Sequence, residues 1–342
     1  MKILVATEDL TFSVSLSLAY KAAGHEVSAG LPELYLGLRD FDLIHFHWPE
    51  ELTQWQVPPL RPLVERLFAR LDALTPATKM VCTIHNLLPH ADGGPVSWDY
   101  YNRFYQRMDR IGHFSQSSLD AVRVKFPDIA SDKHFIHGMN NFSNLHVYAT
   151  GQPEARSTLG VPEDAKVIGA VGQIRSLDEL GLLSDAIAKC AVPKLHILRA
   201  FRPPGVNSLG ERVRRKRLMQ SFDRKPITRL EGFLENAELV AVCEAADFIV
   251  IPRMENQLNS GVLPLAMTFG TGIVAPDCGV FREMLSGSMN ELYTPGEAAD
   301  MAKAIARLAA KSPLKVRTAN LALSAEWGWA RGVERILATL AG

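Results

Sequence analysis

No charge of either sign dominates this chain of 342 residues: Lys and Arg together number 37, and so do Asp and Glu. It lacks an overall field that would draw it to nucleic acid, and no nucleic-acid partner is expected. Cysteine is scarce. Cys82, Cys190, Cys243 and Cys278 lie far apart, form no Cys-x-x-Cys pair and sit in or beside apolar runs. They read as buried reduced thiols, which excludes a disulfide framework and a cysteine metal site. No apolar stretch approaches the roughly 20 residues that span a bilayer. The N-terminal MKILVATEDL reads as a strand, since it has one Lys and only a short apolar run before Glu8. A cytoplasmic protein is expected, one that rests at most on the inner face of the cell membrane. Solenoid repeats, low-complexity tracts and an Asp-x-Asp pair at a strand exit are also absent.

What is present is an ordinary globular balance, 47% hydrophobic and 22% charged, in a length that suggests two domains at roughly 150 residues each. Short β-branched runs alternate with helical patterns. In the first half, strands are expected at Lys2–Ala6, His25–Ala29, Leu43–Phe46, Met80–Ile84, Arg110–Phe114 and Lys133–Ile136. Helices are expected at Val14–Ala23, Leu60–Leu74, Trp98–Asp109 and Ser118–Lys125. Such alternation implies parallel pairing through crossover helices. Asn, Gly and Pro between Asn140 and Asp164 break the rhythm and mark a linker. The pattern then restarts with strands at Lys166–Val171, Lys194–Leu198, Ile227–Leu230, Phe248–Ile251 and Gly272–Ala275. Helices follow at Leu177–Cys190, Ala237–Ala245, Gly261–Phe269, Ala298–Ala309 and Leu321–Leu340. The domains expected are residues 1–150, residues 151–320, and a C-terminal helix at 321–342 that crosses back to the first domain. Ligands of doubly wound sheets bind beyond the carboxyl ends of the strands, so two such domains would share a cleft lined by strand ends.

The first half carries its chemistry at two strand exits. Asp42-Leu-Ile-His45-Phe-His47-Trp48-Pro49-Glu50 ends one strand, and Thr83-Ile-His85-Asn86-Leu-Leu-Pro89-His90 ends another. In a parallel sheet both exits lie on one edge, so these groups can converge. His45, His47, Trp48, Asn86 and His90 are candidates for holding an acceptor or sugar. Any one of these histidines alone reads as an ordinary hydrogen-bonded residue. A metal is the rival for the ensemble, since His45, His47, His85 and His90 could supply nitrogens. No Cys or Asp completes a familiar ligand set, and no metal and no cofactor are expected. Glu8 follows the first strand and faces the same edge. Glu8, Glu50 and His85 are the candidate bases, because a carboxylate or imidazole within hydrogen-bond reach can take a proton from a hydroxyl.

HFHWPE followed by TIHNLLPH resembles the bacterial exopolysaccharide glycosyltransferases, most closely glycosyltransferase family 94, the xanthan-type β-mannosyltransferases; family 4 is a broader match. The resemblance continues through Phe135-Ile-His137-Gly138, Gly172-Gln-Ile-Arg175, Val250-Ile-Pro252-Arg253 and Asn259-Ser260-Gly261, in order over most of the chain. It implies a GT-B fold, with two Rossmann-like domains facing each other across a cleft. The first would bind the acceptor and the second a nucleotide sugar such as GDP-mannose.

In the second half, Asn259-Ser260-Gly261 opens a helix. An Asn or Ser N-cap beside Gly leaves N–H groups free for a diphosphate at the positive end of the helix dipole. Capping alone is an equally good reading. Gly172 allows close backbone approach, and Arg175, Arg202 and Arg253 at strand exits could supply positive charge. Glu283 matches a position that touches the nucleotide sugar in GT-B enzymes, or is a helix carboxylate. Two departures stand out. Asp178 and Glu179 replace a Lys-Gly pair that follows the Arg175 block in related enzymes. Gln257 and Leu265 occupy the positions of the two glutamates of retaining family 4 enzymes. The reading is inverting, metal-independent transfer of a sugar from a nucleotide sugar to a saccharide or lipid-linked saccharide acceptor. Two alternatives remain: a non-catalytic GT-B partner protein and a GT-B-fold sugar-nucleotide epimerase. The cationic run Arg212–Arg217 reads first as a solvated helical face. The Leu60–Leu74 helix reads first as core packing; peripheral membrane contact is the other expectation for each, and nucleotide contact a further one for the cationic run.

Overall fold

The computed structural model describes residues 1–37, 40–89, 94–255 and 258–340. Two compact units result, the first made of Met1–Asn140 with Trp327–Gly342 and the second of Asn141–Glu326.

The first unit holds β1 (Lys2–Ala6), β2 (Glu26–Ala29), β3 (Leu43–Phe46), β4 (Lys79–Thr83), β5 (Arg110–His113) and β6 (His134–Ile136). All pair in parallel in the order β2-β1-β3-β4-β5-β6. Buried on both faces, its strands read as continuous apolar runs rather than alternating ones. One core cluster packs Ile3, Val5, Leu43 and Val81 of the sheet against Leu16 and Tyr20 of the helix Leu10–Ala22. Trp329, Val333 and Ile336 of the C-terminal helix Trp329–Ala338 join it. Asp9 caps the first helix by accepting from the Phe12 amide, which sets that helix directly after the β1 exit.

The second unit holds β7 (Lys166–Gln173), β8 (Leu195–Arg202), β9 (Ile227–Arg229), β10 (Phe248–Val250), β11 (Gly272–Pro276) and β12 (Glu291–Tyr293). They are again parallel, in the order β12-β11-β10-β7-β8-β9. Ile168, Ile197, Phe248 and Val274 sit at its core with Leu183, Ile187, Ile305 and Leu308 of the covering helices. Arg156 ties the base of this sheet together. Its guanidinium donates to Asp247 at 3.1 Å and to the Ala245 and Glu163 carbonyls at 3.0 and 2.7 Å.

Several expected elements differ. The helix expected over Leu321–Leu340 is two, Pro313–Ala325 and Trp329–Ala338, separated at Glu326–Gly328, where Gly328 is extended and caps the second. The stretch read as linker contains the helix Gln152–Thr158, begun by Pro153 in its first turn. Short elements at Leu31–Leu36, Gly279–Leu285 and β12 carry too few residues to show a period. The cationic run lies inside a full helix, Leu209–Phe222, opened by a Ser208–Glu211 capping box. The helix Arg61–Asp72 buries Val64, Leu67, Phe68 and Leu71, so its apolar face belongs to the core. Among the described residues no helix is long and apolar enough to cross a membrane.

Candidate functional site

In a doubly wound sheet the strand order reverses at one point, and a crevice opens there beyond the carboxyl ends. In the first unit that point lies between β1 and β3, in the second between β7 and β10. Both constellations fall on these points.

At the β1/β3 point, β3 delivers His45 beside Val5 of β1 and Val81 of β4, and His47 follows two residues on, on the same face. Their rings stack with centroids 4.6 Å apart. His45 uses both nitrogens: Nδ1 lies 3.0 Å from the Tyr20 hydroxyl and Nε2 lies 2.9 Å from the Thr83 hydroxyl. His47 Nδ1 lies 3.0 Å from His85 Nε2. Trp48 stacks on His85 at 4.0 Å, and Phe12 packs edge-on to His85 at 5.0 Å and to Trp48 at 5.4 Å. Burial holds His45, His47 and His85 well below the usual histidine range, and the neighbouring imidazoles push them in the same direction. These rings are neutral at pH 7, with one N–H each. His137, also buried, is lowered to about 4 by burial and by Arg335, against the opposing influence of the adjacent Gly138 backbone.

The carboxylates divide. Glu50 is buried in the one-turn helix Pro49–Leu52. Its Oε1 accepts from the Asn86 amide at 3.2 Å, and its Oε2 accepts from the Tyr101 hydroxyl. Glu8 is exposed, with Oε1 accepting from the Leu31 amide at 2.8 Å. Sequence reading missed Glu51. It accepts from the Thr7 hydroxyl at 2.8 Å and the Glu8 amide at 2.7 Å and so fixes the β1 exit. Burial raises its carboxyl, while those two hydrogen bonds pull it partway back. It stands next to Glu50 in sequence with nothing to distinguish the two; only the partners, Thr7 for one and Tyr101 for the other, do so. His90 lies outside the described residues.

At the β7/β10 point, Gly172 has φ +90, and a Cβ there would stand 3.3 Å from Val262 Cγ2. Arg253, just past β10, donates to the Gln173 carbonyl at 2.9 Å and to Glu179 Oε2 at 2.7 Å. This ion pair is largely buried, with 11% and 8% of the two side chains exposed. The same Glu179 oxygen accepts from the Arg175 amide at 2.8 Å. Glu179 therefore sits between the two arginines' segments. The Arg175 side chain is exposed at the edge of this crevice, where partial burial and Arg253 lower its guanidinium and Glu179 opposes the effect. Asp178 pairs outward with Arg214. The Tyr293 hydroxyl at the end of β12 donates to the Ile251 and Arg253 carbonyls at 2.9 and 3.1 Å; this brace for the arginine was also missed.

Other expected residues are placed differently. The helix Val262–Thr268 has Gly261, not Asn259 or Ser260, at its N-cap, and the Ser260 hydroxyl accepts from the Leu263 amide at 3.3 Å. Arg202 ends β8 with its guanidinium over the Phe233 ring at 5.8 Å. Glu283 is exposed within the helix Gly279–Leu285 rather than at its start. Gln257 lies outside the described residues, and Leu265 is buried. Among the described residues no group of three or more His, Cys, Asp or Glu is placed to hold a metal ion.

Two all-parallel α/β units with these strand orders make the GT-B fold. Over its whole length the chain superposes on HepE of Anabaena, solved with UDP and glucose (TM-score 0.72, 16% identity, 99% of that chain). It likewise superposes on a sucrose-phosphate synthase of Thermosynechococcus elongatus (TM-score 0.74, 15% identity, 98% of that chain). Residues 165–311 match the family described as Glycosyl transferases group 1. In sequence the chain is similar to the D-inositol 3-phosphate glycosyltransferase of Mycolicibacterium smegmatis, 26% identical over 201 residues, which are 57% of this chain and 45% of the relative. The corresponding protein of Corynebacterium jeikeium is 24% identical over 317 residues, 86% of this chain and 71% of that one. The chain thus spans less than half the length of the first of these relatives.

Proposed function

We propose that this protein transfers a sugar from a nucleotide-sugar donor to a saccharide or lipid-linked saccharide acceptor, without a metal and with inversion. The observation that carries the reading is the loading of both switch points. Arginines stand at the second unit's strand exits, inside the region matching group 1 glycosyltransferases. Aromatic and imidazole groups stand at the first unit's exits. UDP and glucose are named for HepE, and nucleotide sugars are the donor class to test. The HFHWPE and TIHNLLPH blocks favour family 94 chemistry with GDP-mannose and a role in exopolysaccharide synthesis at the membrane's inner face.

In this reading Arg175, with Arg253 behind it and the Asn259–Gly261 turn beside Gly172, holds the donor diphosphate. Cations and N–H groups there stabilise the charge that develops on the leaving group. Arg202 and Glu283 are peripheral donor contacts. Glu8 is the favoured base among the three, because it is exposed while both oxygens of Glu50 are engaged by Asn86 and Tyr101. Glu50 then orients Asn86, and Trp48 with His85 makes the sugar platform. The Glu179–Arg253 pair favours a second reading, a non-catalytic partner protein, because it neutralises a cation that a diphosphate would use. A thermal-shift panel of GDP, UDP, dTDP and their sugars tests donor binding; no response to any nucleotide overturns the donor site. Turnover of a bound nucleotide sugar only when an acceptor saccharide is present supports transfer. Binding without turnover supports the partner reading, and turnover to an isomeric nucleotide sugar without acceptor supports epimerisation.

A further inference from the structure

Among the buried polar atoms of the first unit that have no hydrogen-bond partner among the described residues, three belong to neighbouring residues: His47 Nε2, His137 Nδ1 and Asn140 Oδ1. All three residues line one small cavity of about 10 Å³, which His45, Thr83 and apolar side chains such as Leu16, Trp329 and Ile336 also line. That is about the room one water centre needs, and a buried water is held by two to four polar partners. His47 and His137 are at least 97% buried, with relative exposures of 2% and 3%.

We propose that a single water occupies this cavity, and that through it the imidazole network fixes His85 as a hydrogen-bond donor rather than a base.

The proton positions follow from one end of the network. The Tyr20 hydroxyl is fully buried, and His45 Nδ1 is the partner recorded for it at 3.0 Å. It must donate there, or a buried O–H goes unmatched. His45 is neutral, so its proton is on Nε2 and is donated to Thr83 Oγ1 at 2.9 Å. The Thr83 hydroxyl then donates onward to His137 Nε2 at 3.4 Å, which puts the His137 proton on Nδ1, facing the cavity. A water there accepts from His137 Nδ1–H and gives one hydrogen to Asn140 Oδ1 and the other to His47 Nε2. His47 consequently carries its proton on Nδ1 and donates it to His85 Nε2 at 3.0 Å. His85, neutral as well, is left with Nδ1–H. Each link uses one donor and one acceptor, and no charge is created. His47 is thus a positioning residue, the water is part of the site, and the lone pair of His85 Nε2 is already engaged. That His85 acts in transfer rests on the proposed function; the water and the tautomers do not.

Long-range 1H–15N correlation spectra of ring-labelled protein at pH 7.5 read each tautomer directly. Nε2–H is expected for His45, and Nδ1–H for His137, His47 and His85. Nε2–H on His85 or on His47 overturns the proposal, as does a structure at atomic resolution with no density between the three polar atoms. Asn140→Leu fills the cavity. It should release His47 and His85 into tautomer mixtures while the His113–His134 pair, which does not touch the cavity, keeps its signals. Unchanged His47 and His85 signals in a folded N140L protein overturn the coupling, and if N140L does not fold the wild-type spectrum decides alone. The expected tautomers in a protein that binds no nucleotide would support the water site and refute the transfer reading.

Discussion

Glu179 is the residue whose removal tests the donor site most sharply. Its Oε2 lies 2.7 Å from Arg253 Nη1, so an anion seated on the far side of that guanidinium would lie about 6.5 Å from the carboxylate. Repulsion between two unit charges at that separation is roughly 0.6 kcal/mol in water and roughly 2.6 kcal/mol at an effective dielectric of 20. Glu179→Gln keeps the shape and removes the charge. A nucleoside diphosphate should then bind roughly 3- to 80-fold tighter per phosphate charge near Arg253. The free protein should lose stability, because a largely buried guanidinium is left uncompensated. The neutral amide retains some hydrogen bonding, so about 1–3 kcal/mol is expected, below the 3–5 kcal/mol typical of a fully broken buried pair. Calorimetric titration of GDP and UDP into both proteins, with melting curves of the free forms, reads both effects. Nucleotide affinity that falls in E179Q would refute electrostatic competition. It would show instead that Glu179 positions Arg253 or the Arg175 amide for the ligand. Unchanged affinity would place the diphosphate away from Arg253 altogether.

Arg175→Ala should weaken nucleotide binding by about 1.5–3 kcal/mol, the range of a charge-assisted contact, with little effect on melting because the side chain is exposed; unchanged donor affinity removes it from the site. Gly172→Ala forces a side chain into φ +90 against Val262. It should cost about 1–2 kcal/mol of stability in the second unit, read from urea midpoints, and a neutral result would mean that the β7 exit relaxes freely. The first unit should be the more acid-sensitive. His113, His134 and His137 are lowered to about 3, 4 and 4, chiefly by burial, while unfolded histidine titrates near 6.5. Folded values below the unfolded one mean that the unfolded state takes up protons first. Stability is then complete above about pH 6.5 and falls as pH drops toward 4, by up to about 1.4 kcal/mol per pH unit for each histidine. Urea unfolding at pH 7.5, 6.0 and 5.0 checks this, and a first unit equally stable at all three would refute the neutral-histidine assignment.

The strands were legible where apolar β-branched runs are long enough to show themselves. Lys2–Ala6 and Leu43–Phe46 have the bounds their residues suggest. β12, with only Glu291, Leu292 and Tyr293, offers no run at all and exists because β11 supplies a parallel partner. The break at Trp327-Gly328 was hidden for the opposite reason, since good helix formers flank it on both sides. At the site, the strand-exit position of His47 and His85 followed from the alternation alone, as did Arg175 and Arg253. Their partners did not. Tyr101 meets Glu50 from 51 residues away, and Glu179 meets Arg253 from 74 residues away. No local period encodes such meetings; they depend on which strands lie side by side.

The two switch points differ in electrostatic character in a way that suits the proposed transfer. Glycosyl transfer builds positive character at the sugar's anomeric carbon and negative character on the departing diphosphate. In that transfer the first unit would meet the sugar beside imidazoles that burial keeps uncharged at neutral pH. Being neutral, they place no charge that would oppose the positive centre. Were His45, His47 and His85 protonated, three like charges within stacking distance would repel both one another and that centre. The second unit would meet the phosphates with two arginines balanced by one carboxylate. This leaves about one net positive charge, where a diphosphate brings about two negative ones. Such a site binds its anion less strongly than a fully cationic one and releases it sooner. If product release limits turnover, the same Glu179→Gln change that tightens nucleotide binding should therefore slow steady-state transfer.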